Sequence, residues 1–161
     1  MRLTNFLLTL HIMGAIVGFG ATFAFPFIGA MAQKEGAPVV WFLRLTHVIE
    51  SKLVTPITAT LQPGTGAGLI IISHNQWNPF VSRNRWLLAA LIIYIVAFSF
   101  ALFVQTPRTS KAIRMAENNE FGPEFGGLMK KLAMGGQFLT VMLLTIIVLM
   151  VTKPGSHFFH P

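Results

Sequence analysis

The sequence predicts an all-α integral membrane protein: an antiparallel, up-and-down four-helix bundle with a long second helix kinked by proline. Two observations carry this. Of 161 residues, 53% are apolar and only 11% charged, against about 25% charged in a soluble domain. The apolar residues also fall in long runs separated by Gly, Pro and polar breaks, which is the pattern of membrane spans. The chain reads as a single membrane domain over residues 1–161.

The first span runs over about residues 3–32, long enough to cross a hydrocarbon core of about 30 Å. Ala30 and Ala32 mimic a signal-peptidase site, but the apolar run is much longer than a signal-peptide core of about 7–15 residues. After the polar break Gln33-Lys34-Glu35-Gly36, the second span covers about 39–73 and is interrupted by Pro56 and Pro63. The third covers about 86–104 and is expected to stop at Thr106-Pro107; the fourth covers about 132–151 and stops at Lys153-Pro154. Between them, residues 108–124 read as a cytoplasmic amphipathic helix on the membrane surface, with Ala112, Ile113 and Ala116 opposite Lys111, Arg114 and Glu117.

The net charge of +7 is scattered, not gathered into a patch, so no nucleic-acid partner is expected; the lipid bilayer is the partner it implies. Lys34, Arg108, Lys111, Arg114, Lys130 and Lys131 follow spans one and three, outnumbering Arg2, Arg83, Arg85 and Lys153 opposite. This bias puts both termini on the outer side. The absence of cysteine excludes disulfides, thiol chemistry and Cys-held metals.

Polar groups within the spans are the functional clues, because they are costly in hydrocarbon and face protein or a cavity. In the second span Arg44, His47, Ser51, Thr55, Thr58 and Gln62 recur every three or four residues, on one face of a regular helix, with Glu50 and Lys52 beside them. The bland reading is hydroxyls bonded to backbone carbonyls and a snorkelling charged cluster at the membrane entry. The sharper reading is an intrabundle site. His11 lies two turns inside the first span, followed by Gly14 and Gly18 in a GxxxG pattern suited to close helix packing. It is either a packed, hydrogen-bonded histidine or a haem ligand. Gly64, Gly66 and Gly68 lack the lysine of a phosphate loop and suit helix contact. His74 falls in a loop, and His157 and His160 in a solvated tail.

Three segments in order, Leu10 to Gly18, Leu61 to Gly66 and Trp86 to Leu91, resemble a bacterial family of small predicted integral membrane proteins catalogued as a domain of unknown function. The resemblance implies four helices in the bacterial cytoplasmic membrane. The chain is more distantly similar to the membrane-type protoporphyrinogen oxidases. Glu50-Ser51-Lys52-Leu53 followed by Pro56 matches that family's acidic-basic-basic-Leu run, with Ser51 at one basic position, and its haem b histidine would fall on His11. The family's third-span His and Lys are Leu88 and Ala90 here, which argues against porphyrinogen oxidation.

Three readings stand together. An accessory or assembly-type membrane component, without catalysis, would use its glycine faces for a membrane partner or a second copy. Its polar site would bind haem b or another redox ligand, with His11 on the iron, His47 as a candidate second ligand, Arg44 and Lys52 near the propionates, and Thr55 and Thr58 orienting groups inside the bundle. The alternative is a small transporter or proton pathway using Glu50, His47 and the threonines of the second span's polar stripe, with Ser51 and Gln62 as further polar groups within the membrane.

Overall fold

The computed structural model describes residues 3–35, 38–73 and 77–154. Among them the chain is almost wholly helical: α1 (Leu3–Lys34), α2 (residues 39–72), a short 3-10 turn (Ser82–Asn84), α3 (Arg85–Glu117) and α4 (Pro123–Thr152). Three helices, over Leu3–Ala32, Arg85–Glu117 and Pro123–Thr152, are long and apolar enough to cross a membrane. The fourth, α2, carries the polar stripe.

Proline governs the long helices. It has no amide hydrogen, and its ring clashes with the carbonyl four residues back, so an interior proline ordinarily breaks the helix. In α2 and α3 the helix widens instead, with π-helical turns at Glu50–Val54, Ile57–Leu61 and Ala101–Gln105, whereas α1 runs through Pro26 without one. Pro56, Pro63 and Pro107 each stand two residues beyond one of these turns. The expected stop at Thr106-Pro107 therefore does not occur. α3 continues through it to Glu117, and the Thr106 hydroxyl adds a bond to the Ala101 carbonyl at 3.0 Å.

This continuation changes the reading of residues 108–124. The amphipathic segment is the last third of α3, and its apolar face is covered by protein. Ala112, Met115 and Ala116 pack with Leu43 of α2 and with Phe125 and Leu128 of α4 in a buried cluster. Its polar edge is tied by Lys111 to Glu124 at 2.7 Å. The chain reverses through Asn119, at φ 59°, a left-handed position that Asn tolerates. α4 then begins at Pro123, about two turns earlier than its apolar run suggested.

The helices meet in pairs. Early α1 meets late α2: a Cβ on Gly14 would stand 2.9 Å from Leu61, one on Gly18 2.8 Å from Ile57, and one on Gly29 3.1 Å from Phe42. The GxxxG pattern is thus occupied within the chain. Gly66 and Gly68 lie against His11 and Leu7, while nothing stands within 4 Å of a Cβ on Gly64, so that glycine makes no helix contact. α3 meets α4 through Phe100 against Phe138, with ring centroids 5.0 Å apart, and through Gln105, whose amide nitrogen donates to the Leu132 carbonyl at 2.8 Å. Where α4 ends, Lys153 sits over the rings of Trp77 and Trp86 at 5.3 and 6.0 Å, as cations and tryptophans do at a membrane interface.

Gly135 makes room for the Gln105 side chain: an added Cβ would collide with the Gln105 carboxamide. Gly135→Ala is therefore expected to destabilise the α3 and α4 pair by about 1–3 kcal/mol, read as a lower midpoint of thermal unfolding in detergent. Gly136→Ala, where an added Cβ meets nothing within 4 Å, gains helix propensity and should leave that midpoint unchanged or raise it.

Candidate functional site

Two polar centres lie at different levels along α2. The first joins α1 to α2. His11 Nδ1 is 2.8 Å from the Thr65 hydroxyl, which itself lies 2.6 Å from the Leu61 carbonyl. A hydroxyl has one hydrogen. Donated to Leu61, it leaves Thr65 as acceptor, so His11 donates from Nδ1 and keeps an acceptor lone pair on Nε2. The Gln62 amide nitrogen donates to the His11 carbonyl at 3.0 Å. Gln62 and Thr65 are buried, and the absent side chain of Gly66 lets the imidazole close to 3.4 Å of where a Cβ would stand.

The second centre is a cavity of about 140 Å³ between α2 and α3, lined by His47, Glu50, Ser51, Thr55, Leu102 and Thr106. This is roughly ten times the ~10–15 Å³ that admits one water. His47 Nδ1 is withdrawn from solvent with no hydrogen-bond partner among the described residues. The Ser51 and Thr106 hydroxyls donate to the carbonyls of Val48 and Ala101 at 3.3 and 3.0 Å, leaving their lone pairs available.

The backbone adds to this chemistry. In the widened turns Thr55 N–H bonds to the Glu50 carbonyl, Gln62 N–H to that of Ile57 and Thr106 N–H to that of Ala101. The next residue in each case is a proline, so the carbonyls of Ser51, Thr58 and Leu102 lose the amide donor that the same spacing would supply. That of Thr58 is capped by the Tyr94 hydroxyl of α3. Ser51 and Leu102 both line the cavity.

The expected single site is thereby divided. Arg44 Nε and Nη2 both donate to Glu117 Oε1, at 3.1 and 2.6 Å, in an exposed pair of modest worth. His47, Glu50, Ser51 and Thr55 line the cavity. The Thr58 hydroxyl bonds back to the Val54 carbonyl at 2.8 Å, and Gln62 belongs to the His11 centre. Lys52 is exposed. Along α2, at about 1.5 Å per residue, Lys52 lies about 20 Å, His47 about 27 Å and Arg44 about 30 Å from Thr65, which touches His11. One porphyrin cannot bridge these distances, so His47 is no second ligand to an iron on His11, and Arg44 is no propionate partner there. No three His, Asp or Glu side chains among the described residues gather as a metal site. His74, His157 and His160 lie outside the described residues.

Thr65, Thr106, Leu102, Gln105 and Glu117 escaped the sequence reading as site residues. The prolines of α2 and α3 were the available signal: Ser51 and Leu102, five residues before Pro56 and Pro107, both line the cavity.

Residues 5–154 match the model of a family described as predicted integral membrane protein (DUF2269). No curated protein and no solved structure matches the chain.

The Tyr94 cap is testable by a double-mutant cycle. Tyr94→Phe leaves the Thr58 carbonyl without a donor and should cost about 1–3 kcal/mol of unfolding free energy. Pro63→Ala restores an amide beside that carbonyl, so in its background Tyr94→Phe should cost less than half as much. Equal costs in both backgrounds would show that the hydroxyl does not serve the carbonyl that Pro63 releases.

Proposed function

We propose that this chain, which belongs to the DUF2269 family of predicted integral membrane proteins, is a small proton pathway or ion-coupled transporter. The observation that carries the reading is the cavity lined by His47 and Glu50, two titratable side chains with no hydrogen-bond partner among the described residues; such groups are costly within a membrane unless they serve a function. In this reading α2 also crosses the bilayer, giving four antiparallel spans. The excess of Lys34, Arg108, Lys111, Arg114, Lys130 and Lys131 sets the end of the molecule holding the α1–α2 and α3–α4 turns in the cytoplasm, with the termini outside.

The cavity then lies about 12–17 Å along α2 from its cytoplasmic end at residue 39. Glu50 and His47 exchange protons with that side. Beyond Thr55 the relay reaches a second centre, where Gln62 and Thr65 face His11 and its Nε2 lone pair accepts the proton. Hydroxyl rotation and imidazole protonation are the elementary steps such a relay needs.

A second reading rests on that same Nε2. A neutral imidazole with its tautomer fixed by Thr65 suits an axial haem ligand, in a protein acting as an accessory component. The helix faces at Gly126, Gly127 and Gly136, where an added Cβ would meet nothing within 4 Å, offer such a component its contact surface.

In proteoliposomes carrying a pH-sensitive dye and an imposed diffusion potential, the wild-type protein should move protons faster than empty vesicles. Glu50→Gln should slow this at least about ten-fold; a wild-type rate equal to empty vesicles would refute the proton pathway. For the second reading, absorption spectra of protein purified from haem-supplied cells should show a reducible Soret band that His11→Ala abolishes. A featureless spectrum would remove haem.

A further inference from the structure

We infer that the seam between α3 and α4, where both helices leave their apolar runs, binds an anionic phospholipid, with its phosphate between Arg108 and Lys131 and an acyl chain along Met134 and Phe138. This surface lies apart from the cavity between α2 and α3, and the inference is independent of the proton pathway.

The pattern of charge sets the depth. α3 carries no charged side chain from Trp86 to Pro107, and α4 carries none from Leu132 to Thr152. Arg108 and Lys131 are therefore the first charges met on leaving the apolar run of each helix. That is the level of lipid phosphates, where basic side chains between helices bind anionic headgroups.

Contacts between the two helices place these residues at the same height. The Gln105 amide nitrogen meets the Leu132 carbonyl at 2.8 Å. Arg108 lies three residues closer to the α3–α4 turn than Gln105, about 4.5 Å along the axis, and Lys131 adjoins Leu132 on the same side of that bond. Helix phase puts both on one side of the seam. Lys111 follows Arg108 by three residues, and Glu124 and Phe138 stand seven residues either side of Lys131, spacings that share a helix face. The two rows are joined by the bond of Lys111 to Glu124 at 2.7 Å, and the α4 row is joined to α3 again by Phe138 against Phe100.

Charge selects an anion. Every acidic side chain of α3, α4 and the turn between them is engaged: Glu117 by Arg44, Glu120 by Asn118 and Glu124 by Lys111. Neither Arg108 nor Lys131 is paired with an acid among the described residues. The planar guanidinium of Arg108 suits two phosphate oxygens at once. A zwitterionic headgroup would bring its own ammonium against these two cations, whereas an anionic one brings none. The surface continues as a lipid does: Met134 and Phe138, three and seven residues beyond Lys131, are 59% and 40% exposed and lead into the apolar run. Soluble phosphate would gain nothing from that strip.

Lys130 is a control within the chain. It is exposed and has the charge of Lys131, but it stands about 100° further round α4, off the row that meets α3.

The experiment is native mass spectrometry of the purified full chain in detergent, titrated with phosphatidylglycerol or phosphatidylcholine. Wild type should retain one phosphatidylglycerol in preference to phosphatidylcholine. Arg108→Gln and Lys131→Gln should each weaken that binding about five-fold or more, while Lys131→Arg and Lys130→Gln stay within about two-fold of wild type. Thermal unfolding in detergent checks that each variant keeps its fold. Equal retention of the two lipids, or equal losses in Lys130→Gln and Lys131→Gln, would overturn the inference by showing that no headgroup is selected or that diffuse charge selects it. Displacement of the lipid by an equal concentration of glycerol phosphate would also overturn it, assigning the pair to a soluble phosphate.

Discussion

A proline in a helix that stays a helix is the constraint on which this structure depends. In hydrocarbon there is no water to satisfy a stray backbone group, so a spanning chain must keep its hydrogen bonds internal. Pro56, Pro63 and Pro107 remove donors from the interior of α2 and α3 without ending either helix. The chain widens before each proline, shifts its bonding by one residue, and leaves one carbonyl to find another partner. At Thr58 the partner is a tyrosine on the neighbouring helix, a bond that joins α2 to α3. Ser51 and Leu102, at the same spacing before Pro56 and Pro107, line the cavity.

The glycines act on the same helices from the other side. Gly14 and Gly18 bring α1 against the segment of α2 that contains its second widened turn, and Gly66 admits His11 to Thr65. Close approach makes the α1 and α2 interface polar but satisfied: His11, Thr65 and Gln62 form a hydrogen-bonded set across it. At the other end, α2, α3 and α4 meet in a cluster around Leu43, Ala112 and Leu128. The cavity falls between the two, with residues of the widened turns of α2 and α3 in its lining.

The polar stripe of α2 shows how far a spacing argument carries. Counting by threes and fours placed Arg44, His47, Ser51, Thr55, Thr58 and Gln62 on one face, which holds for a helix of 3.6 residues per turn. Two π turns put more than four residues into a turn, and the phase drifts. Arg44 reaches Glu117, His47 to Thr55 line the cavity, and Gln62 turns to α1. The same assumption, that proline ends a helix, cut α3 at Thr106 and left its amphipathic end to the membrane surface. The apolar side of that end is covered by α2 and α4, a contact between segments far apart in sequence that no local pattern encodes.

Composition and the long apolar runs by themselves determined that this is a helical membrane protein, because hydrocarbon admits few alternatives and the runs match its thickness. The sequence also marked His11, His47 and Glu50 as unusual, since the cost of a polar group in lipid is a local property of the residue. Tertiary structure alone decided which of them share a site. That depends on helix phase and on which helices approach one another, and both are set by the widened turns and by side-chain packing between helices.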